Sequence, residues 1–258
     1  MCGGVVLIVT RWWLAWLLWS VACVMALLGA NLSPSWLLAP PSTDPATPQH
    51  LGLVTQPVQN YTSFTPSFLQ DQSSGGPAEW SAWRSVRERP RASLGLWLRC
   101  TVMGSEPRTS LHCGVYVTAV PDLPSAQVVA LVGVVSATVV TAVSCLAICS
   151  SACLRLISGR NWFTIIGTMQ ATAGAMCLAG VAAFPMGWDS PRVQNQCGAD
   201  AGVYYPSSCT VGWATYLTLA ASIGLLLCTC LSSFAAKSTT TEDVAEEINK
   251  GNNVVCLI

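Results

Sequence analysis

The chain has 258 residues, of which 9% are charged and 52% hydrophobic, and its formal net charge is zero. Soluble domains carry about 25% charged residues, so this composition argues against a soluble protein and indicates lipid as the main solvent. Without an excess of basic residues, the chain also offers no electrostatic basis for binding nucleic acid.

Four long stretches of the chain contain no Asp, Glu, Lys or Arg. They lie between Arg11 and Asp44, Asp122 and Arg155, Arg160 and Asp189, and Asp200 and Lys237. Each stretch accommodates one spanning helix of about 20 residues, and a helix satisfies its own backbone hydrogen bonds in lipid. We therefore predict an all-α membrane protein, a four-transmembrane-helix bundle. The predicted segments are an N-terminus at 1–11, helices at 12–32, 126–154, 162–184 and 212–236, loops at 33–125 and 185–211, a turn at 155–161 and a tail at 237–258.

The first segment could instead be a cleaved signal peptide, but its length and its four Trp residues favour a retained helix. Basic residues set the expected orientation. Arg11, Arg155, Arg160 and Lys237 fall on one side of the bilayer, which the positive-inside rule makes cytoplasmic. We expect both termini in the cytoplasm, both loops outside, and residence in the plasma membrane. Asn60, in Asn60-Tyr61-Thr62, is then an expected glycosylation site, whereas Asn31 abuts the membrane and is not.

The first loop divides into two parts. Residues 40–90 are rich in Pro, Ser, Gln and Gly, which is typical of a weakly ordered insertion. Residues 94–117 instead carry two aliphatic runs, Leu94–Val102 and Leu111–Val117, around the turn sequence Gly104-Ser105-Glu106-Pro107. This pattern predicts a β-hairpin outside the membrane.

The 13 cysteines separate by compartment. Four lie in the outer loops, Cys100, Cys113, Cys197 and Cys209, and predict two disulfides. Three pairings are possible, and proximity favours Cys100–Cys113 with Cys197–Cys209. Within the helices, Cys145, Cys149 and Cys153 share one face and are either small packing residues or, for the thiols nearest the cytoplasm, palmitoylation sites. The candidates for palmitoylation are Cys153, Cys228 and Cys230. With only two His residues, we expect no metal site and no cofactor.

The spanning segments contain no ionisable residue other than cysteine and tyrosine, which disfavours a pump or a charged-solute carrier. Gln170 is expected to form an interhelical hydrogen bond. The third segment also carries small residues that allow close helix packing, namely Gly167, Ala171, Gly174, Ala175 and Ala179. They pack either inside the bundle or against the helices of a partner.

Two sets of residues resemble a known family. The first comprises Ser33-Pro34-Ser35-Trp36, Gly95-Leu96-Trp97, Cys100 and Cys113 and resembles the signature of the claudin-like tetraspan superfamily. The second runs from Phe184-Pro185-Met186-Gly187-Trp188-Asp189-Ser190-Pro191 through Cys197-Gly198, Tyr204 and Cys209 to Gly212-Trp213-Ala214. It closely resembles the lipoma HMGIC fusion partner-like (LHFPL) tetraspans. Two departures are the 40–90 insertion and Phe184, which stands where the family pattern has Tyr.

The resemblance implies a left-handed bundle with a small disulfide-stapled extracellular β-sheet, built from the first loop and one strand of the second. Trp36 and Gly95-Leu96-Trp97 would anchor that sheet. Known members are non-enzymatic auxiliary subunits or assembly factors of ion channels and receptors, so the resemblance implies a polytopic membrane protein as partner. The alternative is a claudin-like junction or adhesion protein. A homo-oligomer is a further possibility.

The tail carries two signals. Thr239 and Glu242 suggest a short capped helix that ends near Gly251. The apolar run Val254-Val255-Cys256-Leu257-Ile258 suggests either a frayed end or a strand that adds to a PDZ-type scaffold.

Overall fold

The computed structural model describes residues 7–40, 91–103, 110–115, 124–151, 161–239, 246, 249–250 and 254–257. Its elements in chain order are β1 Leu7–Thr10, α1 Arg11–Leu32, β2 Leu37–Leu38, β3 Ser93–Leu94, β4 Leu98–Met103, β5 Ser110–Val115, α2 Ser125–Ser151, α3 Asn161–Ala183, a 3-10 turn Phe184–Gly187, α4 Pro191–Cys197, β6 Thr210–Val211, α5 Trp213–Ser238 and β7 Val254–Leu257. The predicted last residues of the second helix, 152–154, lie outside the described ranges.

Four helices, α1, α2, α3 and α5, are long and apolar enough to cross a membrane. The four-helix membrane architecture is therefore confirmed. Helix α1 begins where the Thr10 hydroxyl accepts a hydrogen bond from the backbone of Trp13, which satisfies one of the free N–H groups of its first turn. Around the bundle, α2 packs on α3, α3 on α5, and α5 on α1, while α1 and α2 make a smaller contact.

The buried side chains form two clusters at different depths. One lies toward the end of the bundle where α1 and α3 begin and α2 and α5 end, and it contains Trp16, Ile148, Phe163 and Ile166. The other runs from the middle of the bundle into the loops and contains Trp36, Phe184, Trp188 and the second-loop disulfide. Because this second cluster is continuous with the sheet, the sheet and the bundle share a core. We call this end of the bundle the sheet end.

The sheet is antiparallel and five-stranded, with the order β5-β4-β3-β2-β6. Its last strand, β6, comes from the second loop, as the family resemblance implies. The single strand predicted over Leu94–Val102 is wrong in one respect. Gly95, Leu96 and Trp97 form a turn that divides it into β3 and β4, closed by a 2.7 Å hydrogen bond from the Gly95 N–H to the Leu98 carbonyl.

A two-stranded ribbon lies at the opposite end of the bundle. Strand β7 of the tail pairs in parallel with β1, which leads directly into α1. The tail run predicted to fray or to enter a scaffold is thus a paired strand over Val254–Leu257. Of the predicted tail helix, the structure describes Glu246, Asn249 and Lys250, with a 2.9 Å ion pair between Lys250 and Glu246.

Candidate functional site

The last turn of α1 is capped by two indole rings. Trp36 donates from Nε1 to the Ala30 carbonyl at 2.8 Å, and Trp97 donates to the Asn31 carbonyl at 2.5 Å. Carbonyls in the last turn of a helix receive no hydrogen bond from an N–H group of the same helix, so they need a donor from outside it. These two bonds hold β2 and the β3–β4 turn on the end of the membrane helix.

An aromatic stack then connects the two loops. Trp36 contacts Phe184 edge-on at 5.2 Å between ring centroids, and Phe184 contacts Trp188 at 6.0 Å. All three rings are buried. Such contacts add about 0.5–1.5 kcal/mol each beyond burial. Phe184 suits its position because a buried Tyr hydroxyl would need a hydrogen-bond partner.

The two motif glycines mark close approaches between segments. A Cβ at Gly95 would lie 2.7 Å from the Ser33 carbonyl oxygen, and a Cβ at Gly187 would lie 2.9 Å from Cγ of Gln127 on α2. Backbone Ser33 cannot move aside without displacing the end of α1, so only glycine fits at position 95. The glycines therefore bring the first loop onto α1 and the second loop onto α2.

The Pro185–Pro191 segment turns the chain from α3 into α4. Pro185 lies in the first turn of the 3-10 segment, and Pro191 opens α4 after Ser190. Ser190 caps α4 through its backbone carbonyl, which accepts from the N–H groups of Val193 and Gln194 at 3.0 Å each. Its buried hydroxyl makes no cap bond, and Asp189 is exposed.

A rigid turn follows α4 in the second loop. The Cys197–Cys209 disulfide closes it, and Gln194 donates from Nε2 to the Ala201 carbonyl at 3.1 Å. Tyr204 has a left-handed backbone (φ 61°), held by bonds from its N–H to the Pro185 carbonyl and from its hydroxyl to the Ala182 carbonyl. A left-handed tyrosine costs about 1–2 kcal/mol. The sequence alone does not indicate this arrangement, because Pro185 and Ala182 are distant from Tyr204 along the chain.

The part of the chain that forms this arrangement matches a family model. The model of the family described as "Lipoma HMGIC fusion partner-like protein" matches residues 12–237, which include all four spans and both loops. The chain belongs to the LHFPL family.

Three similar proteins carry LHFPL tetraspan names. The LHFPL tetraspan subfamily member 2a protein of Danio rerio is 28% identical over 253 residues, which cover 97% of this chain and 98% of the relative. The LHFPL tetraspan subfamily member 2 protein of Homo sapiens is 31% identical over 41% of this chain and 46% of its own length. The LHFPL tetraspan subfamily member 4 protein of Mus musculus is 28% identical over 62% of this chain and 63% of its own length.

In this LHFPL chain both predicted disulfides have the pairing that proximity favours, Cys100–Cys113 and Cys197–Cys209. Cys228, one of the residues predicted as acylation sites, is buried between α1 and α5, with its Sγ 3.6 Å from the Ser20 hydroxyl. Cys230 is exposed. Cys153 and the predicted glycosylation site Asn60 lie outside the described residues.

Asn31, which matches the glycosylation pattern, is buried. Its amide donates to the Leu27 carbonyl at 3.0 Å and to the Thr138 hydroxyl on α2 at 2.7 Å. The side chain therefore joins α1 to α2 and is not available to a glycosyltransferase.

Gln170 makes the predicted interhelical hydrogen bonds. Its Oε1 accepts from Trp16 Nε1 at 2.9 Å, and its Nε2 donates to the Ser20 hydroxyl at 2.8 Å. The Ser20 hydroxyl in turn donates to the Trp16 carbonyl at 2.8 Å. This closed ring of bonds is fully buried and fastens α3 to α1.

We expect Gln170→Leu to lower stability by about 1–2 kcal/mol, because the indole of Trp16 then has no acceptor in the core. The matched control is Thr168→Val on the exposed side of the same helix, where the hydroxyl bonds only within α3. The measurement is the midpoint of thermal unfolding in mild detergent. Equal midpoints for the two variants would show that the ring of bonds does not stabilise the bundle.

The predicted small-residue ridge on α3 does not stay on one face of the bundle. Gly167 and Gly174 are buried against α5, and a Cβ at Gly174 would lie 3.0 Å from the Ser222 carbonyl. Ala171 is half-buried, but Ala175 and Ala179 are exposed. A helix has about 3.6 residues per turn, so each four-residue step rotates by about 40°. The later members of the ridge therefore face away from the bundle.

The outward face of α3 differs from that of α2. Eight residues of α3 are exposed, and six of them are Thr or Ala: Thr164, Thr168, Thr172, Ala175, Ala179 and Ala182. Eight residues of α2 are also exposed, and six of those are Val or Leu: Val129, Val132, Val135, Val139, Val143 and Leu146. The exposed side of α3 thus presents small residues in place of bulky aliphatic ones. We call this surface the α3 outer face.

Proposed function

We propose that this chain is a non-enzymatic auxiliary subunit or assembly factor of an ion channel or receptor in the plasma membrane, with both termini in the cytoplasm and the sheet end outside. The observation that carries the proposal is the α3 outer face. Family membership supports it through the roles that the resemblance implies.

Small residues on a lipid-facing helix favour association with another helix. Lipid chains are as apolar as leucine, so membrane helices associate through close packing and interhelical hydrogen bonds, and not through apolar area alone. Ala175 and Ala179 permit a close approach of backbones, and Thr168 and Thr172 add hydroxyl groups at the same surface. A transmembrane helix of a partner subunit is the ligand that suits this chemistry.

The rest of the molecule is suited to hold that face in a fixed orientation. The Gln170 ring fastens α3 to α1, and the stack of Trp36, Phe184 and Trp188 fastens the end of α3 to the sheet. A rigid helix face loses little conformational freedom when a partner binds, which raises the affinity.

We expect Ala175→Leu with Ala179→Leu to abolish recovery of a channel or receptor subunit with the tagged full-length chain from native membranes. The two leucines hold the backbones apart. The control is Ala22→Leu with Ala220→Leu, which adds the same volume to exposed positions on α1 and α5 and should leave recovery unchanged. Co-purified proteins are identified by mass spectrometry at equal expression of each variant.

Two outcomes would contradict the proposal. One is recovery of the chain without any channel or receptor subunit, together with its concentration at cell–cell contacts, which would favour a junction protein. The other is equal loss of the partner in both double variants, which would show that the α3 outer face has no special role.

A further inference from the structure

Strand β5 forms one edge of the sheet. The strand order places β4 on one side of it, and among the described residues no strand pairs with its other side. Edge strands expose unpaired N–H and C=O groups, and these groups readily accept another strand. The backbone direction of each residue shows which groups are free.

The distance between the Cα atoms of Cys100 and Cys113 shows in which direction the backbone N–H and C=O groups of each residue point. These Cα atoms are 4.0 Å apart, close to the value of about 4.5 Å for a pair that exchanges no backbone hydrogen bonds and well below the 5.5 Å of a bonded pair. The bond from Gly95 to Leu98 agrees, because it directs the even-numbered residues of β4 toward β3.

Alternate residues of β5 therefore point their backbone groups outward. Ser110, His112 and Gly114 bond to β4, whereas the outward-pointing residues are Leu111, Cys113 and Val115. Each of the three turns its N–H and its C=O to the edge, where no described strand pairs with them. The side chains of Leu111 and Val115 are 45% and 50% exposed and lie on the same side of the hairpin as Val102.

Within its six described residues, this edge lacks the residue types that usually prevent pairing with another strand. Proteins block exposed edges with Lys, Pro, bulges or covering loops, and Ser110–Val115 contains no Lys, no Pro and no acidic residue. In the described strand the edge is regular over its six residues. Among the described residues, nothing covers the edge against strand addition.

We propose that β5 is a homodimerisation edge that pairs antiparallel with β5 of a second copy of this chain, about a two-fold axis at Cys113. In that register Leu111 lies opposite Val115 of the second copy, and each outward residue exchanges both of its hydrogen bonds. Both copies use the same surface in this pairing, so the assembly ends at a dimer and neither β5 edge stays exposed.

The side chains of the edge are complementary to themselves in this register. Leu111 and Val115 form apolar cross-strand pairs, which stabilise antiparallel sheets. His112 lies opposite Gly114 of the second copy, and the space around Gly114 is open, with no heavy atom within 4 Å of a Cβ placed there. The imidazole of His112 thus meets a position with open space. Because Ser110–Val115 contains no Asp, Glu, Lys or Arg, two copies of the edge meet without repulsion between fixed charges.

The test introduces charged residues at positions 111 and 115 of the full-length chain, which face each other across the proposed axis. Leu111→Lys with Val115→Lys places Lys opposite Lys in both cross-strand pairs, and like charges directly opposed are destabilising. We expect the dissociation constant of the dimer to rise about tenfold or more. Leu111→Glu with Val115→Lys places Glu opposite Lys and should restore the dimer, although both residues are changed. The copy number is measured by light scattering in detergent and by energy transfer between two tagged copies in membranes.

Several results would overturn the proposal. A wild-type chain that stays monomeric throughout the micromolar range would do so, as would a Lys–Lys variant that dimerises like the wild type. This register would be ruled out if the Leu111→Glu, Val115→Lys variant did not dimerise although its unfolding midpoint equalled that of the wild type. The Ala175→Leu and Ala179→Leu pair on α3 should leave the dimer unchanged, which separates this inference from the proposed partner binding.

Discussion

Trp36→Ala is expected to destabilise the sheet end by about 3–5 kcal/mol, the range for removal of a buried aromatic side chain. Trp36 is fully buried, contacts Phe184 and donates to the Ala30 carbonyl. The substitution therefore leaves a cavity and removes one of the two hydrogen bonds to the Ala30 carbonyl, which keeps only the bond from the Ser33 N–H. The measurement is the midpoint of thermal unfolding in mild detergent.

Trp213→Ala is the matched control for this substitution. Trp213 opens α5 at the same end of the bundle, but its side chain is 53% exposed. We expect a change of about 1 kcal/mol or less, as for most exposed positions. If both Trp variants had the same midpoint, the Trp36 stack would not be what holds the sheet on the bundle.

Removal of the second-loop disulfide by Cys197→Ala with Cys209→Ala has the second large expected effect. The disulfide closes a segment with a sequence separation of 12, and a crosslink of this length stabilises by about 3 kcal/mol in the chain-entropy model. The same crosslink holds the turn that keeps Tyr204 left-handed. We expect a lower unfolding midpoint and faster proteolysis between residues 198 and 208.

Cys149→Ala is the control for the disulfide variant, because Cys149 is an exposed free thiol on α2. It should leave both the midpoint and the proteolysis rate unchanged. An unchanged proteolysis rate in the double variant would instead show that hydrogen bonds such as that of Gln194 hold the turn without the crosslink.

The spans, the disulfide pairs and the extracellular hairpin follow from local features of the sequence, whereas the sheet strand from the second loop was implied only by the family resemblance. Charged residues are costly in lipid, so the gaps between them mark helices, and two cysteines about a dozen residues apart pair readily when they share an oxidising loop. Gln170 was also predictable, since an amide in a membrane helix needs a partner.

Other features depend on contacts that periodicity does not contain. The break at Gly95–Trp97 follows from packing against Ser33, and the parallel pairing of β1 with β7 joins the two ends of the chain. The predicted α3 ridge treats four-residue spacing as one face, although the helix rotates Ala175 and Ala179 outward. The burial of Cys228 is also not evident from the sequence, because sequence position indicates depth in the membrane but not the direction of the side chain.

Photocrosslinking from the α3 outer face tests the central claim most directly. A photoreactive amino acid at Ala179 in the full-length chain, expressed in its native cells, is predicted to crosslink to a subunit of an ion channel or receptor, whereas the same group at the exposed Val139 of α2 should give mainly lipid adducts. Equal patterns at the two positions, or adducts at Ala179 that contain only lipid or a second copy of this chain, would contradict the claim that this face binds a partner's helix.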